Sequence, residues 1–285
     1  MVPYSHYHGL GNAFLVLDCR ERMALPTPED AIRLCDPITG HGVDGLLCIQ
    51  EGREGAEHHM HILNADGSEA EMCGNGIRCV IKHIVDRWGA TASPMTLSTG
   101  AGIHHAHWRK GADGAVQEVP VSMGRAKRHP AAIPVLDAPT PARVELSAGG
   151  ANHTLECVSM GNPHAIRVGS AARELAEELG PLIGSAPRFP EGVNVGFAAV
   201  DGPHRINLVV HERGCGITEA CGTGACACVV AAIDRGLVEC DQDIEVCLPG
   251  GSLGVRVDGM SGMIWMTGPA VHVADGHLTL DPRED

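Results

Sequence analysis

Met72-Cys73-Gly74-Asn75-Gly76-Ile77-Arg78-Cys79 is answered by Ala220-Cys221-Gly222-Thr223-Gly224-Ala225, with the two leading cysteines 148 positions apart, and the echo organises the chain. Two Cys-Gly-x-Gly matches alone would mean little, but their neighbours repeat as well. Gly11-Asn12 returns as Gly161-Asn162, and Gly42-Val43-Asp44 as Gly192-Val193-Asn194, both at an offset of 150. Asn64 stands nine residues before Cys73, and Glu212 nine before Cys221. Internal repetition governs architecture before any single motif does, and these landmarks predict two related halves.

Local patterning repeats too. After Cys73, apolar residues fall at Ile77, Val80, Ile81, Ile84, Val85 and Trp88, the spacing of an amphipathic helix, and Gly89 supplies a stop. After Cys221 the same rhythm runs through Ala225, Cys228, Val229, Ala232 and Ile233 to Gly236. Residues 58–63 and 206–211 read as strands leading into Asn64 and Glu212. Each half thus reads strand, glycine-bearing loop, cysteine, helix, which predicts a cysteine at each helix N-terminus. The remainder reads mostly as β. Predicted hairpins pair 144–146 with 153–158 around Gly149-Gly150, 244–248 with 253–257 around Gly250-Gly251, and 271–274 with 278–280 around Asp275-Gly276. Residues 171–179 predict a surface helix, and the proline-rich 130–141 a loop or domain crossing.

The chemistry follows from placing two thiols on two helix ends. A helix N-terminus carries about half a positive charge in its unpaired N–H groups, and a thiol there can titrate below its free value of about 8.5. A glycine beside each cysteine lets backbone N–H groups approach an anion closely. The Cα–H of an amino acid is a very weak acid, so its removal needs donors aimed at the carboxylate where charge accumulates. Inverting the stereocentre further needs a base on one face and an acid on the other. One sulfur as thiolate and one as thiol, exchanging roles with the direction of reaction, meets that need.

Composition narrows the class. The 285 residues are 44% hydrophobic, enough for two domains at about 100–200 residues each. With 21 Lys plus Arg against 35 Asp plus Glu, the formal charge of −14 disfavours nucleic acid and anionic membrane and favours a small-molecule substrate. The N-terminus lacks a basic and an apolar region of signal-peptide type, and no stretch approaches the ~20 apolar residues of a membrane span. A cytoplasmic location is expected, where the 12 cysteines stay reduced and most pack as core.

At these residues the sequence resembles diaminopimelate epimerase. The motifs run nearly end to end: Gly9-Leu10-Gly11-Asn12, Asn64-Ala65-Asp66-Gly67-Ser68-Glu69, Met72 through Cys79, Met160-Gly161-Asn162-Pro163-His164, Gly192-Val193-Asn194, Glu212-Arg213-Gly214 and Ala220 through Ala225. The resemblance implies an α+β fold of two pseudo-symmetric domains, each a mainly antiparallel β-sheet or barrel wrapped around a central α-helix, with the site in the cleft between them. The first domain is expected over 1–119 with a C-terminal return at 271–285, and the second over 120–270. It also implies interconversion of LL- and meso-2,6-diaminopimelate, serving lysine and peptidoglycan-precursor synthesis, with no cofactor, no metal and a homodimeric state. Residues matching Cys73 and Cys221 are the base and acid pair, and His164 and Glu212 help to set cysteine protonation. Gly74, Asn75, Gly222 and Thr223 match positions that hold the reacting end of the substrate. Asn12, Asn64, Asn162, Asn194, Glu212 and Arg213 match positions that bind it, largely at the distal end. Arg213 can grip a carboxylate in a fork, and the Asn amides can both donate and accept. Three departures stand out: Ala13 where the family usually has aspartate, Gly45 where some members have glutamine, and Ile217 where an acidic residue is common.

Other readings are weaker. Cys79, Cys226 and Cys228 continue into the helices and read as core, as do Cys19, Cys35, Cys48, Cys157, Cys240 and Cys247; Cys215 lies near the site. A buried structural role for Cys73 and Cys221 is disfavoured, because glycine-rich loops at helix starts are poor places to hide a thiol. Zinc binding lacks a Cys-x2-Cys pair, and the histidines at 58, 59, 61, 104, 105 and 107 read as a solvated face. A dithiol redox protein usually keeps its cysteines adjacent. A histidine or proline racemase on the same scaffold would not need Arg213, Asn194 and Asn162 for a distal carboxylate.

Overall fold

Strands dominate the computed structural model, which describes residues 1–20 and 25–280. The chain divides into two compact units, one formed by Met1–Val121 with the chain from Gly268 onward, the other by Ser122–Thr267. Of the predicted C-terminal return, residues 281–285 lie outside the described residues.

In the first unit β1 (Val2–Gly9), β2 (Asn12–Asp18), α1 (Pro28–Cys35), β3 (Gly45–Glu51), β4 (His58–Asn64), α2 (Gly74–Trp88), β5 (Met95–Thr99), β6 (Gly102–Ala106), β7 (Arg109–Lys110) and β8 (Val116–Arg125), whose residues from Ser122 on count with the second unit, follow in order. β1 and β2 form a hairpin, β2 runs parallel to β3, β3 antiparallel to β4, β4 parallel to β5, and β5 antiparallel to β6. The second unit holds β9 (Arg143–Ala148), β10 (Ala151–Ser159), β11 (Pro163–Val168), α3 (Arg173–Gly184), β12 (Asn194–Val200), β13 (Arg205–Glu212), β14 (Gly216–Thr218), α4 (Gly222–Asp234), β15 (Ile244–Leu248), β16 (Gly251–Val257) and β17 (Met263–Pro269), whose last two residues count with the first unit. Its wiring matches: β10 antiparallel to β11, β11 parallel to β12, β12 antiparallel to β13, β13 parallel to β15, β15 antiparallel to β16. A mainly antiparallel sheet around one central helix, built twice, is the expected α+β architecture.

The predicted hairpin at Asp275-Gly276 is not a hairpin. Residues Val271–Leu278 form one strand, β18, which lies antiparallel to β1 with Ser5 opposite Asp275 and Tyr4 opposite Gly276. Local turn chemistry yields here to long-range pairing. Asp275 accepts from Ser5 Oγ at 2.7 Å and from Arg87 at 2.5 Å, and the Tyr4 ring crosses Gly276 where a Cβ would sit.

The helices also differ from the amphipathic expectation. Every residue of α2 from Gly74 to Val85 is buried, including Arg78, Lys82 and His83. A helix ringed by sheet has no solvent face, so its buried polar residues meet other side chains and carbonyls of the same unit. Lys82 Nζ reaches Asp86 at 2.8 Å and the Val116 carbonyl, while His83 packs edge-on against Tyr7 and Trp88. In α4, Gly224 to Ala232 are all buried. Gly89 ends α2 in the left-handed conformation, and Gly236, with φ of 66°, follows α4. The segment predicted as a surface helix at 171–179 extends through Pro181 to Gly184 and buries Ala176, Leu179 and Ile183. The 130–141 run includes a short 3-10 turn at Pro130–Ala132. The solvated-face reading of the histidines fails at His59 and His104, which are buried and bonded to Ser98 and Thr99. No described helix is long and apolar enough to cross a membrane.

Candidate active site

Each cysteine caps the central helix of its unit. Cys73 is the N-cap residue of α2, in extended conformation, and its sulfur accepts the Gly76 N–H at 3.3 Å. Cys221 is the N-cap residue of α4. The glycine three residues on is closely packed in both. A Cβ on Gly76 would stand 3.0 Å from Leu47 Cδ2, and one on Gly224 would stand 3.1 Å from both Cys221 Sγ and Val210 Cγ2. The motif therefore lets the helix start against a strand with the sulfur tucked beside it.

Around Cys73 lies a row of side chains from three elements. The thiol donates to Asn12 Oδ1 at 3.7 Å, and Asn75 Nδ2 donates to the same oxygen at 3.2 Å. Asn12 Nδ2 in turn donates to Asp44 Oδ2 at 2.8 Å, an oxygen that also takes the Ala13 N–H at 2.7 Å. Asn64 ends β4, its amide nitrogen bonded to Ser68 Oγ at 3.0 Å, and Ala65 N–H reaches the Asp44 carbonyl. The structure thus groups Cys73, Gly74, Asn75 and Asn12 tightly, with Asn64 reached through the backbone of Asp44.

The second unit groups its own set. Asn162 Nδ2 donates to Thr223 Oγ1 at 3.3 Å, and Thr223 Oγ1 lies 3.7 Å from Cys221 Sγ. His164 Nε2 sits 3.0 Å from Asn162 Oδ1. His164 on β11 stands opposite Asn194 on β12, and Asn194 Oδ1 accepts the Arg213 N–H at 2.8 Å. Glu212 accepts from Thr218 Oγ1 at 2.5 Å, while the exposed Arg213 guanidinium donates to the Glu191 carbonyl at 2.7 Å.

Electrostatics depart from the sequence expectation. Cys221 is 4% exposed rather than open on its loop. Burial pushes the Cys73 thiol up, opposed by the Gly76 and Asn75 N–H groups and the nearby Arg78. Burial and the adjacent Glu212 carboxylate push Cys221 well above the ordinary thiol range. Desolvation outweighs the helix end in both. His164, wholly buried and near Arg213, is lowered to about 3 and stays neutral.

Two residues escaped the sequence reading. Asp44 is the counterpart of Asn194 in the Gly-Val repeat, which was its available signal. Arg78 is a cation set among the apolar positions of α2, and it is fully buried. The departures have structural sense. A Cβ on Gly45 would stand 2.6 Å from the Leu63 carbonyl oxygen, so β3 has no room for a glutamine there. Ile217 packs against the core of the second unit, and Ala13 against that of the first. Among the described residues no group of three or more His, Cys, Asp or Glu side chains is arranged to hold a metal ion.

The duplicated fold, with a cysteine at the N-terminus of the central helix in each unit, is the fold of solved racemases and epimerases. The solved probable proline racemase of Agrobacterium radiobacter, with bound carbonate, superposes with a TM-score of 0.72 at 17% identity, covering 99% of this chain and 94% of that one, a likeness of fold. The chain belongs to the diaminopimelate epimerase family, whose model matches residues 4–129 and 156–273. It is 40% identical to the diaminopimelate epimerase of Nitrosospira multiformis over 98% of this chain and 99% of that protein. It is 41% identical to that of Pseudomonas fluorescens over 98% and 100%.

Proposed function

We propose that this enzyme interconverts LL- and meso-2,6-diaminopimelate by moving the Cα proton between Cys73 and Cys221, using side-chain groups and no added cofactor, in the supply of lysine and peptidoglycan precursors. The observation that carries this is the duplicated half-site: in each unit a cysteine caps the helix most completely buried there, with amide or hydroxyl side chains bonded round it. In the reaction one sulfur, as thiolate, takes the Cα proton, and the electron pair left on carbon spreads into the carboxylate. The other sulfur, as thiol, returns a proton to the opposite face. Product leaves with the two protonation states exchanged. N–H groups at Gly74, Asn75, Gly222 and Thr223 are suited to the carboxylate because it gains charge as the proton departs.

The unlike surroundings support unlike resting states. Donors and Arg78 favour ionisation at Cys73, whereas the Glu212 carboxylate opposes it at Cys221. His164 acts as a fixed donor through Asn162 to Thr223 rather than as a proton carrier. Arg213, Asn194 and Asn162 suit a second carboxylate and ammonium, which a proline or histidine substrate lacks. The same family reading extends to a homodimer in the cytoplasm.

Incubation with LL-diaminopimelate in heavy water, followed by NMR and chiral separation, tests the reading. Deuterium is expected at Cα together with the meso isomer, and neither L-proline nor L-histidine is expected to exchange. Cys73→Ala and Cys221→Ala are each expected to abolish isomer interconversion; an active single variant would overturn the two-cysteine scheme.

A further inference from the structure

We propose that Arg78 is a positioning residue for the Cys73 half-site, and that together with Asp44 it locks a row of two amides, Asn75 and Asn12, in one orientation. This rests on the role given above to Cys73 and Asn75. The row reads in one direction. Arg78 Nη2 donates to Asn75 Oδ1 at 2.6 Å, Asn75 Nδ2 to Asn12 Oδ1 at 3.2 Å, and Asn12 Nδ2 to Asp44 Oδ2 at 2.8 Å. A guanidinium only donates and a carboxylate only accepts. The cation therefore requires an oxygen from Asn75, the anion requires a nitrogen from Asn12, and the two ends agree on how the central pair must lie. An amide free to turn over would show Cys73 a donor half of the time and an acceptor the other half. Held by this row, Asn12 shows the sulfur its oxygen alone, an acceptor for the thiol, while the Gly76 and Asn75 N–H groups and Arg78 are the groups that favour the thiolate.

Arg78 does more than hold one amide. Nε donates to the Pro269 carbonyl at 3.1 Å and Nη1 to the Gly74 carbonyl at 3.4 Å. The planar fork thus ties down both residues that follow Cys73. A Cβ on Gly9 would stand 3.0 Å from Nη2, so β1 also leaves a slot for the guanidinium. Packing alone does not call for a cation at this place. At the repeat offset of 148, α4 carries Cys226 in the corresponding position, buried without charge. One half of a duplicated fold thus spends a fully desolvated arginine where the other spends a small thiol, and the difference lies one turn from a reactive sulfur.

The test uses three variants and a readout independent of substrate: the pH profile of alkylation of Cys73 and Cys221 by iodoacetamide, followed by peptide mass spectrometry. Arg78→Gln removes the charge and the fork. The Cys73 midpoint is expected to rise by about one pH unit, the Cys221 midpoint to stay, and kcat to fall about 10²-fold. Arg78→Lys keeps the charge, but one ammonium cannot serve three oxygens in a plane. Its Cys73 midpoint is expected near that of the parent, with kcat still reduced by about tenfold or more and KM changed less. A folded Arg78→Gln protein with an unmoved Cys73 midpoint, or an Arg78→Lys protein with parental kcat, would overturn the proposal. Should neither fold, Asp44→Asn decides, since Asp44 is exposed at the far end of the row. A tenfold loss of kcat at unchanged thermal midpoint, again an order-of-magnitude expectation, supports the row, and parental kcat refutes it. If the parent protein leaves diaminopimelate unchanged, the substrate reading fails while the alkylation profiles still judge Arg78.

Discussion

His164 shows how a residue marked in the sequence acquires its properties only from its surroundings. Its place after Asn162-Pro163 marked it, but nothing in the sequence says that it is wholly buried, or that Nδ1 has no hydrogen-bond partner among the described residues. Its neutral form follows from that burial and has a measurable consequence. Between pH 6.5 and about 3 the unfolded chain holds a proton at this position that the folded chain refuses. Stability therefore falls as pH drops through this window, by up to ~1.4 kcal/mol per pH unit from this one group. His83, lowered to about 4 by burial, acts with the same sign above pH 4. Urea unfolding measured from pH 7 to 4 is expected to show a shallower decline in His164→Gln than in the parent. An identical slope would mean that His164 is not held neutral. The cysteines teach a related lesson. Their position at helix ends was readable from glycine spacing, whereas the desolvation that raises both thiols depends on strands distant in sequence.

At the level of elements, the rhythm of apolar residues located α2 and α4 and the glycines that stop them. It could not tell a half-buried helix from one surrounded by sheet, because Arg78, Lys82 and His83 read as a polar face until their internal partners are seen. The strands around Gly149-Gly150 and Gly250-Gly251 were legible from turn chemistry, yet the same logic misread Asp275-Gly276, where pairing with β1 decides. Gly45 illustrates a constraint no pattern announces. It begins β3 opposite Asn64, with the Leu63 carbonyl against its Cα. Gly45→Ala is expected to lower unfolding free energy by about 1–3 kcal/mol through overpacking, read by urea denaturation. Parental stability would show that β3 and β4 can separate there at no expense.

For the whole chain, the repeat was the most informative feature of the sequence: it predicted two related halves, and the matching strand wiring of the two units realises them. Strand order and the parallel pairings of β2 with β3 and β11 with β12 were beyond it, since both depend on contacts between segments some thirty residues apart. The units differ in continuity. The second is one run of chain, while the first needs β18 to cover β1 and the Pro269 carbonyl to receive Arg78. A chain truncated before Gly268 is expected to be cleaved by trypsin within residues 1–121 far faster than the full-length protein, with 122–267 still resistant. Equal resistance of both segments would show that β18 is dispensable.

That discontinuity also sets an order of events during synthesis. The segment bearing Cys73 leaves the ribosome long before the strand that closes its sheet, while the segment bearing Cys221 can reach its final form as one uninterrupted stretch. The 271–278 strand is thus the last part of the first unit to be translated and β1 the first, so the two ends of the chain must meet before that sheet is complete.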